Sequence, residues 1–162
     1  MSKRRHAREM AVQMLYQSDL GDTSIDAIVT AFRASGYGSI DTATTAETGR
    51  RSGVAAREVD STDTAFQYAK SLVEGTLGNL EEIDSLIRQQ AEHWRLERMP
   101  AVDRNILRLA IYEFLYETDV PKLVILDEAI ELAKRYSTAE SSAFVNGILD
   151  SFIKNRSEIS GV

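Results

Sequence analysis

The chain has 162 residues, of which 43% are hydrophobic and 27% are charged, a composition typical of one globular domain. It has no cysteine and only two histidines, which excludes disulfides, iron–sulfur clusters and thiolate zinc sites and leaves too few ligands for a multi-histidine metal site. No apolar run approaches the roughly 18 residues of a membrane helix, so we expect a cytoplasmic protein that does not enter the membrane.

The net charge of −6 hides an uneven distribution. The first eight residues carry basic side chains and no acidic one, so the rest of the chain is more acidic than its net charge suggests. The basic residues are Lys3, Arg4, Arg5 and Arg8. A basic segment on an acidic body predicts a local contact with a polyanion.

Helical periodicity dominates the chain, and no stretch alternates with the period of a strand. We expect helices at residues 5–20, 23–34, 63–78, 79–91, 100–117, 124–136 and 138–154. Residues 35–62 are rich in Gly, Ser and Thr, which predicts a long, flexible polar loop between the second and third helices. The predicted fold is all-α, a single-domain bundle of about seven helices that spans residues 1–162.

Local signals refine this prediction at three helices. Asn79 with Glu82, and Ser137 with Glu140, have the spacing of capping boxes at helix starts. The helix that follows Pro100 is apolar on nearly all sides. Because such a helix must be covered all round, we expect it at the centre of the bundle.

Catalytic motifs are absent from the sequence. There is no phosphate-binding glycine loop, nucleophile elbow or zinc-binding helix motif. Glu128 and Glu131 share a helix face, but Glu131 is spaced to pair with Arg135 at the surface. His93 and Trp94 lie near the end of a predicted helix, and we interpret them as structural. We therefore expect a binding protein and not an enzyme, with no catalytic residue, cofactor or metal.

The basic residues at the start of the first helix do not serve helix stability. The positive end of the helix dipole disfavours each cation there by roughly 0.3–1 kcal/mol. Phosphate binding would explain their placement. Four cations on single-stranded RNA give a salt slope near −3, or about 50-fold weaker binding between ~50 and ~200 mM salt. A frayed, solubilising tail is the alternative.

Two aromatic residues are further candidates for a contact surface. Tyr16, together with Val12, falls outside the apolar stripe of the first helix and near Arg5. It either contacts a ligand or packs on another helix. Phe144 lies beside the core stripe of the last helix, on the side of Glu140. It either stacks on a nucleobase or wedges between helices.

These features together resemble the NusB family of bacterial transcription antitermination factors. The matching segments are residues 3–9, 11–16, 102–113, 119–121, 127–134 and 144–150. The basic first helix and the Phe-Val-Asn-Gly segment at 144–147 are among them. The chain departs from the family pattern in the length and polarity of the loop at 35–62, and in Asp127, where asparagine is common.

The resemblance implies binding to the boxA single-stranded RNA of ribosomal RNA leader transcripts, together with the ribosomal small-subunit protein NusE. The complex would help RNA polymerase to read through terminators. The RNA contacts that the resemblance implies are Lys3, Arg4, Arg5, Arg8 and Phe144, with Glu140 and Ser141 beside Phe144. The implied protein-partner contacts are Tyr16 and Asp103, with Arg104 and Glu113.

Two other functions stay open at this point. One is a helical protein-interaction module whose basic segment is incidental and which binds no RNA. The other is a detached NusB-like domain of a ribosomal RNA cytosine methyltransferase, although such enzymes need a glycine-rich cofactor loop and catalytic cysteines that this chain lacks. The oligomeric state is also open, and a homodimer could cover the RNA site.

Overall fold

The structure is a computed structural model that describes the backbone of residues 3–21, 24–34, 54–91 and 93–160. Side chains are described in the same ranges, except at 54–63 and 157–160. Every regular element within these ranges is a helix, which confirms the all-α prediction. No helix among the described residues is both long enough and apolar enough to cross a membrane.

Seven α-helices follow one another through the described residues. They are α1 (Lys3–Gly21), α2 (Ile25–Ala34), α3 (Val54–Gly78), α4 (Leu80–Gln90), α5 (Ala101–Tyr116), α6 (Lys122–Tyr136) and α7 (Ala139–Ser160). A short 3-10 helix, Leu96–Arg98, lies between α4 and α5.

Helix α3 begins at Val54, earlier than the start near residue 63 that the sequence predicts. The prediction relied on large apolar side chains, and residues 54–63 contain none larger than valine. They do contain Ala, Arg and Glu, which favour helix without leaving a strong apolar period. Residues 35–53 of the predicted loop lie outside the described residues.

The chain divides into two compact units, residues 1–74 and 75–162, with the boundary inside α3. In the first unit α1 packs on α2, and the stacked rings of Phe32 and Phe66 lie 6.4 Å apart between α2 and α3. Buried apolar side chains of α1 complete this core, and they are Ala7, Met10, Ala11, Val12, Met14 and Leu15.

Helix α5 is the centre of the second unit. It packs against α4, α6 and α7, and α6 and α7 also pack on each other. Its buried apolar residues are Ile106, Leu107, Leu109, Ala110 and Ile111. The structure thereby confirms the central position that the apolar circumference of this helix predicts.

The predicted capping boxes differ in detail from the observed caps. The N–H of Ser141 donates to Thr138 Oγ1 at 3.1 Å, so the cap of α7 is Thr138 and not Ser137. The side chain of Asn79 makes no capping bond to the described residues of α4. Its amide instead donates to the carbonyl of Gly75 at 2.8 Å, near the end of α3, where carbonyls lack helical partners.

Tyr116 explains why Asn79 and Glu82 do not form the predicted capping box. Its hydroxyl lies 3.2 Å from Asn79 Oδ1 and 3.0 Å from Glu82 Oε2, so its one proton is shared between these two acceptors. The hydrogen bond to Glu82 raises the pKa of Tyr116, because ionising the phenol would break it. The capping box predicted for Asn79 and Glu82 is therefore wrong, and the hydroxyl of Tyr116 lies within hydrogen-bonding distance of both side chains.

Candidate nucleic-acid interface

The basic segment occupies the first turns of α1, and its residues are not equivalent. Lys3, Arg4 and Arg5 are exposed, whereas Arg8 is 3% exposed. The guanidinium of Arg4 lies 6.0 Å from the ring centre of Tyr68 in α3. Three of the four predicted phosphate contacts are therefore exposed residues, and Arg8 is buried.

Tyr16 lies further along α1 and is 37% exposed. Val12, which the helical wheel places beside Tyr16 and outside the apolar stripe, is only 3% exposed, so that placement of Val12 is wrong. The apolar face of α1 is broader than a narrow stripe and includes Val12. Tyr16 alone of this pair can contact a partner at the surface.

Phe144 lies on α7 in an edge-to-face contact with Trp94. The ring centres are 5.5 Å apart and the planes meet at 70°. Phe144 is half-buried, whereas Trp94, which follows α4, is 61% exposed. Both rings border a groove of about 490 Å³ between the end of α4 and α7.

Polar side chains border the same groove. The amide of Asn155 in α7 donates to Gln90 Oε1 at 2.8 Å, which links α7 to the last residue of α4. Among the described residues that line the groove, His93 is the only titratable one, and none is acidic. A polyanion could therefore enter without meeting a carboxylate of the described lining.

Glu140 and Ser141 lie in the first turn of α7. Glu140 is exposed, whereas Ser141 is 8% exposed. The hydroxyl of Ser141 accepts hydrogen bonds from Ser137 Oγ at 2.8 Å and from Thr138 Oγ1 at 3.1 Å. Ser141 is thus part of the helix cap, and Glu140 is the member of this pair that faces solvent.

The predicted protein-partner residues of α5 are largely buried. Asp103 and Glu113 are each 2% exposed. Asp103 Oδ1 is buried and accepts no hydrogen bond from the described part of the chain. Arg104 donates to the carbonyls of Leu96 at 3.0 Å and Met99 at 3.2 Å, so it fastens the 3-10 segment to α5. A direct contact of these side chains with a partner stays a prediction.

Comparison with known proteins establishes the family. The sequence model of the NusB family matches residues 5–154. The chain belongs to the NusB family. The resemblance inferred from the separate segments of the sequence is thereby confirmed.

Relatives match this NusB-family chain over nearly its whole length. The transcription antitermination protein NusB of Myxococcus xanthus is 42% identical over 151 residues, which cover 93% of this chain and 94% of that protein. A structure of T. maritima NusB superposes with a TM-score of 0.69 at 35% identity, over 95% and 92% of the two chains. A crystal structure of antitermination factors NusB and NusE in complex with dsRNA gives a TM-score of 0.71 at 26% identity, over 96% and 98%.

Trp94 is a residue of this NusB-family surface that the sequence does not single out as a contact. The sequence places it with His93 near the end of a predicted helix and favours a structural role, and the structure adds that most of its surface is exposed. Its flanking residues, His93 and Arg95, are polar, so Trp94 belongs to no apolar stripe in the sequence. That isolation is the only signal in the sequence that favours a contact role.

Proposed function

We propose that this chain is a transcription antitermination factor that binds boxA-type single-stranded RNA of ribosomal RNA leaders together with NusE. The observation that carries the proposal is the set of exposed cations Lys3, Arg4 and Arg5 at the start of α1, on a chain whose net charge is −6. Cations at that helix end oppose the helix dipole, so a bound polyanion is the better reason for them. The NusB–NusE complex with dsRNA supports an RNA ligand and that partner.

Electrostatics defines what the basic segment contributes. Each cation that meets an RNA phosphate releases counterions, which gives a slope of about −0.7 per contact on single-stranded RNA. The three exposed side chains alone give a slope near −2, or roughly 20-fold weaker binding between ~50 and ~200 mM salt. Arg8 is buried at the same end of α1, so it is not counted in this slope.

Phe144 supplies a sequence-tolerant stacking surface. A base on an aromatic side chain is held by about 1–3 kcal/mol, and Phe144 is partly exposed. Glu140 lies exposed in the same helix, where its carboxylate can accept from base amino groups. Ser141 holds the helix start that positions both residues.

NusE contacts are proposed separately for each unit, at Tyr16 on α1 in the first and at the residues of α5 in the second. Tyr16 offers an exposed ring, and an acidic chain suits a basic ribosomal protein. Asp103, Arg104 and Glu113 would act mainly by holding the shape of the α5 surface, since Asp103 and Glu113 are buried. We assign no catalytic residue, place the chain in the cytoplasm, and treat residues 1–162 as one RNA-binding domain.

The proposal is tested by terminator read-through in a bacterial transcription extract depleted of its own NusB-family protein. Templates carry a leader with boxA or with boxA scrambled. We expect the chain, with NusE, to raise read-through on the boxA template only, and Arg5→Glu to lose this effect. Equal read-through on both templates, or none on either, would overturn the proposal.

A further inference from the structure

Trp94 has no role in the core that would account for its place. Its indole meets Phe144 only edge to face, and 61% of the residue is exposed. An exposed tryptophan at the border of a groove costs hydration free energy, so a ligand that covers it would recover that cost. The groove volume, about 490 Å³, lies within the range of small-ligand pockets.

The angle between the two rings decides how many bases they can hold. Stacking needs parallel planes, and the planes of Trp94 and Phe144 differ by 70°. A base stacked on Phe144 therefore meets Trp94 at its edge and cannot stack on it as well. A base that stacks on Trp94 must be a different one.

We propose that Trp94, with the Gln90–Asn155 amide pair, forms a second nucleobase subsite beside Phe144. The proposal rests on the RNA-binding function proposed above and adds a residue set to it. Neighbouring bases of a single strand would be turned apart, one on each ring. Single-stranded RNA is recognised in this manner, with unstacked bases on aromatic side chains and their edges on polar groups.

The amide pair supplies the polar groups. In the bond from Asn155 Nδ2 to Gln90 Oε1, at 2.8 Å, one donor and one acceptor are used. Within the described part of the chain, the side-chain amide of Gln90 keeps its N–H donors for a ligand, and Asn155 Oδ1 keeps its acceptor capacity. A donor beside an acceptor matches the edge of a base, and the mutual hydrogen bond fixes the geometry before RNA arrives.

Gly147 leaves the groove open at the proposed subsite, because it has no side chain. It lies in α7 on the lining of the groove, and no described atom comes within 4 Å of where its Cβ would be. A side chain at this position would point into open space and would also favour the helix, since glycine is a poor helix former. Filling the groove from Gly147 therefore blocks the subsite without disturbing the fold.

The chain offers a built-in probe, because Trp94 is its only tryptophan. A 12-nucleotide boxA-type RNA labelled at one end is titrated with the full chain at low salt. Anisotropy of the label reports binding, and intrinsic fluorescence of Trp94 reports stacking. We expect quenching of Trp94 with the same midpoint as the anisotropy change.

Three variants sharpen the test. Trp94→Leu should weaken RNA binding by roughly 5- to 150-fold, the loss expected for one base–aromatic stack. Gly147→Leu should weaken it similarly with an unchanged or higher melting temperature. Gly78→Leu is the matched control, since Gly78 also has no described atom near its Cβ position and does not line the groove. It should bind as the unaltered chain does.

The outcomes separate the subsite from the general function. RNA binding that leaves Trp94 fluorescence unchanged, with normal affinity of Gly147→Leu, overturns the subsite and leaves RNA binding in place. Absence of RNA binding overturns both. If Trp94→Leu does not fold, the quenching of the unaltered chain and the Gly147→Leu comparison still decide the matter.

Discussion

Arg108 of α5 forms a bidentate ion pair with Asp84 of α4. Its Nε donates to Oδ1 at 2.8 Å and its Nη2 donates to Oδ2 at 2.9 Å. The side chains of Arg108 and Asp84 are only 10% and 12% exposed. The pair fixes α4 against the central helix, and α4 ends at Gln90 on the border of the groove. A structural ion pair thus supports the place where RNA is proposed to bind.

Breaking this pair should destabilise the fold. Arg108→Leu leaves a buried carboxylate without its bidentate partner, which typically costs about 3–5 kcal/mol. Chemical denaturation monitored by circular dichroism measures the loss. The double variant Asp84→Leu/Arg108→Leu should recover much of it, because an apolar pair carries no buried charge. Equal stability of Arg108→Leu and the unaltered chain would show that the pair contributes nothing.

Gly75 lies against Tyr112, and a side chain at Gly75 would collide with it. An added Cβ would overlap the phenol ring, which itself packs at 5.3 Å from the ring of Tyr116. Gly75→Ala should lower stability by about 1–3 kcal/mol, the usual cost of overpacking, against a helix-propensity gain of roughly 1 kcal/mol. Gly78→Ala, which has open space, serves as the control in the same thermal melts. A stabilised Gly75→Ala variant would refute the close contact.

We expect the residues of the basic segment to fall into two classes, those that bind RNA and those that stabilise the fold. Arg5→Ala removes an exposed cation, so the salt slope of RNA binding should become shallower by about 0.7 while the melting temperature stays constant. Arg8→Ala removes a buried side chain and should instead lower the unfolding free energy by about 1–3 kcal/mol. The exposed Arg98 provides a control, and Arg98→Ala should change neither quantity. Identical salt slopes for Arg5→Ala and Arg98→Ala would remove Arg5 from the interface.

Phe144→Ala should weaken RNA binding by about 1–3 kcal/mol, because a stacking surface is lost. Leu123→Ala, at a residue that is 69% exposed on α6, is the matched control for deletion of an apolar side chain. Anisotropy gives the affinity and circular dichroism gives the folded fraction. A collapse of the melting temperature with normal binding of the folded fraction would make Phe144 a packing residue only.

The sequence predicts the helices well because their apolar periods are long and strong. The central place of α5 follows from its apolar circumference alone. The caps are less predictable, since Asn79 has a distant competitor in Tyr116 that no local pattern reveals. Nor can periodicity separate Arg8 from Arg5, because a long aliphatic stem allows an arginine to be buried. Trp94 lies outside any helix, so helical periodicity does not predict its exposure or its contacts.

RNA binding itself is tested most directly by fluorescence anisotropy with boxA-type and scrambled single-stranded RNA, with and without NusE, at several salt concentrations. We predict preferential binding of boxA RNA, a salt slope near −2 from the exposed cations, and tighter binding when NusE is present. Equal affinity for both RNAs, or no binding even with NusE, would contradict the antitermination function. The latter result would leave a NusB-family fold that serves a different ligand.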